Sequence, residues 1–265
     1  MTYAKMNARH LIIDLIMGSD GAPITIRQLL LAANLFDFSE NSIRVAVTRL
    51  SSDGMIESSA RGKYQFTQQW QAWATDMLKR KQGIQATKPW NHDYLAVFTG
   101  ALGRVDRTAL KRRERALRQH GFRELQTGLF IRPDNLAESF NETFKRLILN
   151  GLEPDANMFR VSHLDTASSQ KVATLWHGET LNHTYASISQ KIQAWLAQAH
   201  ESDVEQAARE SLLLGREAIP LLTADPLLPP PFIDEAARHQ FVQDVQQLDQ
   251  VGQKLWQQFY DMAQV

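Results

Sequence analysis

One stretch, residues 39–54, constrains the fold of this chain more than any other. In Glu40-Asn41-Ser42-Ile43-Arg44-Val45-Ala46-Val47-Thr48-Arg49-Leu50-Ser51-Ser52, the apolar residues Ile43, Ala46, Val47 and Leu50 recur three and four apart. That spacing lines up side chains on one face of an α-helix. Ser39 supplies an N-cap oxygen in front, and Asp53-Gly54 closes the run behind. The pattern predicts a helix over roughly 40–52 anchored to a core by its apolar stripe. Its outward surface presents Asn41, Ser42, Val45, Thr48 and Ser52, flanked by Arg44 and Arg49.

The neighbouring segments fit the same small unit. Leu11, Ile12, Leu15 and Ile16 mark a first helix, and residues 18–23 form a loop. Thr25 with Gln28 three positions later is a capping box that opens a second helix carrying Leu29, Leu30 and Ala33. After the third helix, residues 55–59 and 63–67 pair across Ala60-Arg61-Gly62 as a hairpin, with Ile56, Tyr64 and Phe66 facing inward and Arg61 and Lys63 at its tip. Three helices followed by a basic hairpin predict a winged helix-turn-helix. Its third helix would lie in a DNA major groove about 12 Å wide while the hairpin touches phosphate or the minor groove. A winged-helix unit used only for protein contacts stands as the alternative.

Charge supports a nucleic-acid partner for one half of the chain. The net charge is zero, yet residues 1–150 carry 22 Lys and Arg against 14 Asp and Glu, while residues 151–265 carry 7 against 15. A basic front half attracts phosphate and an acidic back half repels it. There is no cysteine, which removes disulfides, thiolate metal sites and cysteine nucleophiles, and places the chain most simply in a reducing cytoplasm. No apolar run approaches the eighteen residues of a membrane span, and the opening residues lack a signal-peptide cleavage pattern.

The remaining two thirds divide by composition. The helical pattern of the first part ends at Lys79-Arg80-Lys81-Gln82-Gly83, and Lys88-Pro89 breaks the chain. Domains are therefore expected at 1–88, 89–164 and 165–265. The central one reads strand 93–99, helix 106–120, strands 121–125 and 128–131, helix 134–150 and strand 157–162, a βαββαβ order that suits a split βαβ sheet. Its first helix and the residues before it are strongly cationic: Arg104, Arg107, Lys111, Arg112, Arg113, Arg115 and Arg118. Such a run is a solvated helix face, a DNA contact, or a grip on the phosphates of a small ligand.

The last part reads as nearly all helix. Trp176, Tyr185 and Trp195 serve as core, residues 221–231 form a proline-stiffened connector, and a long helix runs from 233 to 262. Phe241, Val245, Leu248, Leu255 and Phe259 face inward on that helix.

Several of these residues together resemble the PaaX family of phenylacetate-catabolism repressors. They are Phe38-Ser39-Glu40-Asn41-Ser42-Ile43-Arg44-Val45-Ala46-Val47-Thr48-Arg49-Leu50 with Asp53-Gly54-Met55-Ile56, then Gly121-Phe122 and Gly128-Leu129-Phe130-Ile131-Arg132-Pro133. The third group is Asp225-Pro226-Leu227-Leu228-Pro229 with Ala237-Arg238 and Phe241. The resemblance implies an α+β multidomain protein: an N-terminal winged helix-turn-helix, a central domain similar to the ferredoxin-like Cas2 proteins, and a helical C-terminal domain that aids dimerisation. It further implies a homodimeric repressor on a palindromic operator of double-stranded DNA, released by a small-molecule effector of the aryl-acyl-CoA type. The chain departs from the family in lacking a Trp-Pro-Gly where Phe232-Ile233-Asp234-Glu235 stands.

Enzymatic readings find less support in the residues. A Cas2-like Mg-dependent nuclease needs a carboxylate at the end of the first central strand, but that strand runs into Phe98-Thr99-Gly100, and Asp93 lies at its other end. His177 and His183 are six apart, the wrong spacing for two ligands on one helix face, and with His163 they read as ordinary surface or structural residues. The expectation is therefore a chain with no catalytic residues, metal or cofactor.

Overall fold

The structure is a computed structural model and describes residues 6–19, 21–71, 74–75 and 87–263. The helix end expected at 79–83 and the opening residues 1–5 lie outside them. The chain is a mixed α+β protein with a helical C-terminal part. It packs as two compact units, neither continuous in sequence: residues 1–82 with 188–223 and 242–265, and residues 83–187 with 224–241.

In the first unit, helices α1 (Ala8–Gly18), α2 (Ile26–Asn34) and α3 (Glu40–Ser52) lie where the apolar spacing puts them. The caps are those of the sequence. Thr25 accepts from the Gln28 backbone N–H while the Gln28 side chain reaches back, a complete capping box, and Ser39 accepts from the Ser42 N–H. Strands β2 (Ile56–Ala60) and β3 (Lys63–Phe66) form the hairpin, with Ile56 opposite Phe66 and Ser58 opposite Tyr64. The turn is tighter than expected. Ala60 stays in the strand opposite Lys63, a bulge absorbs the mismatch, and Arg61-Gly62 alone turns the chain with Gly62 at φ 71°.

A two-residue strand, β1 (Ile24–Thr25), pairs with the outer side of β3. Two residues are too short to carry a period, so nothing in the sequence marked it. Leu11, Ile12, Leu29, Ile43, Leu50 and Ile56 are all fully buried in one core. Each contributes about 1.5–3 kcal/mol relative to exposure. Replacing the capping oxygen, Ser39→Ala, should cost about 1 kcal/mol of unfolding free energy and leave the helix count intact, read by circular dichroism during urea unfolding.

The rest of the first unit is helical. Helix α8 (Val204–Thr223) lies wholly in it, and α7 (Gly178–Gln198) and α9 (Glu235–Met262) contribute their later parts. Leu212 of α8 and Trp256 of α9 pack against the core of α1–α3. The proline connector begins later than the sequence implied, since Leu221, Leu222 and Thr223 are still helical and Pro220 sits inside α8. A proline near a C-terminal end disturbs only the turn before it, and Thr223 Oγ1 donates to the Ile219 and Pro220 carbonyls there.

The second unit holds a four-stranded sheet of β4 (Tyr94–Phe98), β5 (Arg123–Gln126), β6 (Leu129–Pro133) and β7 (Asn157–Val161). The strand order is β5-β6-β4-β7 and every neighbouring pair is antiparallel. Helices α4 (Arg107–Gln119) and α5 (Phe140–Leu149) are the crossovers, so the expected βαββαβ order is present. α5 starts later than the expected residue 134, because Ser139 and Glu142 form its capping box and the chain before it is still turning. Period two separates the faces. Leu95, Val97 and Phe130 face a core with Leu117 and Leu147, while Leu125 and Ile131 face Val172, Trp176 and Phe232, with α6 (Thr166–Val172) on that side.

Candidate nucleic-acid interface

The candidate surface is the outward side of α3 together with the β2–β3 hairpin. Ile43, Ala46, Val47 and Leu50 are buried and hold α3 by one face. Asn41, Ser42, Arg44, Val45, Thr48 and Arg49 are all exposed on the other. This buried stripe anchors the helix from behind and leaves its far side facing outward. Val45, 41% exposed, is an apolar residue without a core to fill.

The polar side chains are not equivalent. Arg44 pairs with Glu40 one turn earlier at 3.5 Å, an exposed contact worth well under 1 kcal/mol and easily exchanged for a phosphate. Thr48 Oγ1 donates to the Arg44 carbonyl at 3.0 Å, which fixes its rotamer, and the Ser42 and Ser39 hydroxyls share a hydrogen bond at 2.8 Å. Arg49 makes no ion pair among the described residues. At the end of the helix Arg9 of α1 bonds Asp53 at 2.6 Å, and Thr67 Oγ1 donates to the Gly54 carbonyl at 2.8 Å, tying the hairpin base to the close of α3. Arg61 and Lys63 are exposed at the hairpin tip. The Ile26 N–H donates to the Gly62 carbonyl at 2.8 Å, so the tip is braced against α2.

The cationic helix of the central sheet resolves into two kinds of residue. Arg104, Arg107, Lys111 and Arg112 are exposed, as are Arg115 and Arg118. Arg113, from the same run, is buried. It bonds Glu153 through Nε and Nη2 at 3.0 and 2.8 Å and donates to the Gly103 carbonyl. Arg104 approaches Glu124 at 3.9 Å and lines a cleft of about 270 Å³ whose walls also hold Arg113, Glu114 and Glu124, whereas Arg107, Lys111 and Arg112 lie outside that cleft.

Helical spacing does distinguish Arg113, since it falls three before Ala116 and four before Leu117, both buried. Asp93, just before β4, is half-buried and is held below the usual carboxylate range by hydrogen bonds from Ser162 and Asn91. No cluster of His, Cys, Asp and Glu able to hold a metal occurs among the described residues. His163, His177 and His183 are exposed, while Trp176, Tyr185 and Trp195 are buried in the helical part. No helix among the described residues is long and apolar enough to cross a membrane.

Comparison with known proteins extends this geometry. Residues 7–69, which hold α1–α3 and the hairpin, match the family described as PaaX-like protein, and residues 176–258 match the PaaX-like protein C-terminal domain. No curated protein matches the chain in sequence. Among solved structures the chain is similar to "Uncharacterized protein Rv0674 from Mycobacterium tuberculosis", with a TM-score of 0.60 at 20% identity over 93% of this chain and 99% of that one. That likeness speaks for the fold alone. The two family matches together span more than half of the sequence, and the chain belongs to the PaaX-like family, whose members are transcriptional regulators rather than enzymes.

Proposed function

We propose that this protein is a DNA-binding repressor of a catabolic operon, with α1–α3 and the hairpin acting as a winged helix-turn-helix. The observation that carries the reading is the outward face of α3, where six exposed residues including two arginines stand on a helix held rigidly from behind. In this reading α3 enters the major groove. Arg44, Arg49 and Asn41 meet base edges, Ser42, Val45 and Thr48 line the groove contact, and Arg61 and Lys63 hold phosphates from the wing. The central sheet is read as a Cas2-like, ferredoxin-like domain and the helical part as the dimerising one. Two copies then occupy half-sites of a palindromic operator about 34 Å, or a multiple of that, apart. A small-molecule effector of the aryl-acyl-CoA type releases the DNA by favouring a state with the wrong spacing, and Arg104, Arg107, Lys111 and Arg112 are proposed to meet its phosphates.

The test is fluorescence anisotropy of the full chain on duplex from its own upstream region, titrated with salt. Affinity should fall steeply as salt rises. Arg61→Ala and Lys63→Ala should each reduce the slope of log affinity against log salt by about one, because each removes one phosphate contact while leaving sequence preference intact. Slopes equal to the parent's in both variants would remove the wing from the interface.

A further inference from the structure

Within the first unit, α1, α8 and α9 enclose a cleft of about 640 Å³, inside the range of roughly 300–1,000 Å³ that holds a small ligand. Its apolar walls are Ile13 and Met17 of α1, Ile219 of α8, and Leu248, Trp256 and Tyr260 of α9. Two features show what chemistry the cleft would accept.

The first is a polar group without a partner. Tyr260 lines the cleft and is 7% exposed, and its hydroxyl is buried with no hydrogen-bond partner among the described residues. A buried donor of this kind is costly to leave unsatisfied, a penalty that an acceptor on a bound molecule removes. Burial pushes the phenol far above its ordinary range, so it is a neutral O–H donor at any physiological pH.

The second is the charge of the walls. Asp14 and Arg216 face the cleft as an ion pair, and the remaining charged or titratable side chains there are Asp249 and His10. Carboxylates outnumber the one guanidinium, which is already paired, so a phosphate or carboxylate ligand meets repulsion and loses its water with no cation to replace it. An uncharged molecule suffers neither penalty.

We propose that this cleft is a binding site for a compact, uncharged aromatic molecule that presents a carbonyl acceptor to Tyr260, and that α1 transmits its occupancy to α3. The aromatic preference follows from the Trp256 and Tyr260 rings and the Met17 thioether. Transmission is short. Leu15 of α1 lines the cleft and also sits in the core with Ile43 and Leu50 of α3, and Arg9 on α1 bonds Asp53 at the end of α3. A ligand that displaces α1 thereby moves the helix proposed to read DNA. This second half rests on the DNA-binding reading; the first does not.

Saturation-transfer NMR of the full chain with benzamide as probe, and benzoate as its anionic counterpart, tests the site without DNA. Benzamide should bind, and benzoate at least tenfold more weakly. Tyr260→Phe should weaken benzamide about three- to tenfold, the loss of one neutral hydrogen bond. Gly215→Leu should abolish binding, since Gly215 lines the cleft and a β-carbon there meets only Ile219 Cδ1 at 3.5 Å. No benzamide signal, equal binding of benzoate, or parental affinity in both variants overturns the site. Tyr260→Phe alone decides the matter if Gly215→Leu does not fold.

Anisotropy with and without saturating benzamide then tests transmission. A shift in DNA affinity supports it, unchanged DNA affinity overturns it, and absence of DNA binding at any salt instead defeats the functional reading while leaving the ligand site standing.

Discussion

Replacing Arg132 by methionine should lower the unfolding free energy of the second unit by about 3–5 kcal/mol and its melting temperature by roughly 6–20 °C. Arg132 lies on β6 and is among the largest fully buried side chains of the protein. Its guanidinium donates to the His120 carbonyl at 2.6 Å, the Pro133 carbonyl at 3.1 Å, Asn135 Oδ1 at 3.2 Å and the Pro226 carbonyl at 3.4 Å, and it lies over the Phe122 ring. Burial pushes its pKa down to about 9, so the group is still charged at neutral pH.

Methionine fills similar volume but leaves three carbonyls and an amide oxygen with one donor fewer each. Lysine should rescue little, because a single ammonium cannot reach four acceptors in a planar fork. Asn135 also donates to the Leu227 carbonyl at 2.6 Å, so the loss propagates to the connector that follows α8. Gly121 explains the rest of this motif. It sits at φ 79°, and a β-carbon there would stand 3.0 Å from the Pro226 carbonyl oxygen and 3.1 Å from Arg132 Nη1. Differential scanning calorimetry on Arg132→Met and Arg132→Lys reads the effect directly. Parental melting in both would mean that these carbonyls are satisfied without the guanidinium.

The second large effect is on DNA. Arg44→Ala and Arg49→Ala should each weaken specific binding by about 1–3 kcal/mol, roughly 5- to 150-fold, with unchanged thermal stability because both side chains are exposed. Arg49 should show the greater loss. Arg44 must first give up Glu40, and that exchange discounts whatever it gains from the nucleic acid. Glu40→Ala should move affinity in the opposite direction, since it takes a carboxylate away from the phosphates and leaves Arg44 available. Anisotropy on specific and scrambled duplexes separates base contacts from phosphate contacts, because a residue that reads bases loses affinity for the specific duplex alone.

How much of this was legible in the sequence depended on how local the cause was. Ser39, Thr25 with Gln28, and the Ile43-to-Leu50 stripe act within one helix, and the structure places each where the spacing did. The βαββαβ order was legible because apolar strand-length runs alternate with helix-length stretches, although the Ser139 capping box that sets the start of α5 at Phe140 went unread. What escaped was non-local. Strand β1 exists only because β3 offers it an edge. Arg132 stood out in the sequence only as part of the motif Gly128–Pro133, and its burial is set by acceptors from His120 and Pro226, 12 and 94 residues away in the chain. The cleft of the first unit draws on α1, α8 and α9, segments some two hundred residues apart, and no window of sequence contains it. The composition shifts near 88 and 165 mark changes along the chain. The contacts instead group residues 188–223 and 242–265 with the N-terminal helices.

The most direct test of the account is a footprint of the full chain on the duplex upstream of its own gene, run in parallel with Arg44→Ala and Arg49→Ala. The parent should protect two half-sites of a palindrome whose centres lie about 34 Å or a multiple apart on one face of the duplex, and both variants should lose that protection at the same protein concentration. Identical footprints for parent and variants, or no protection at low salt, would contradict a reading face on α3.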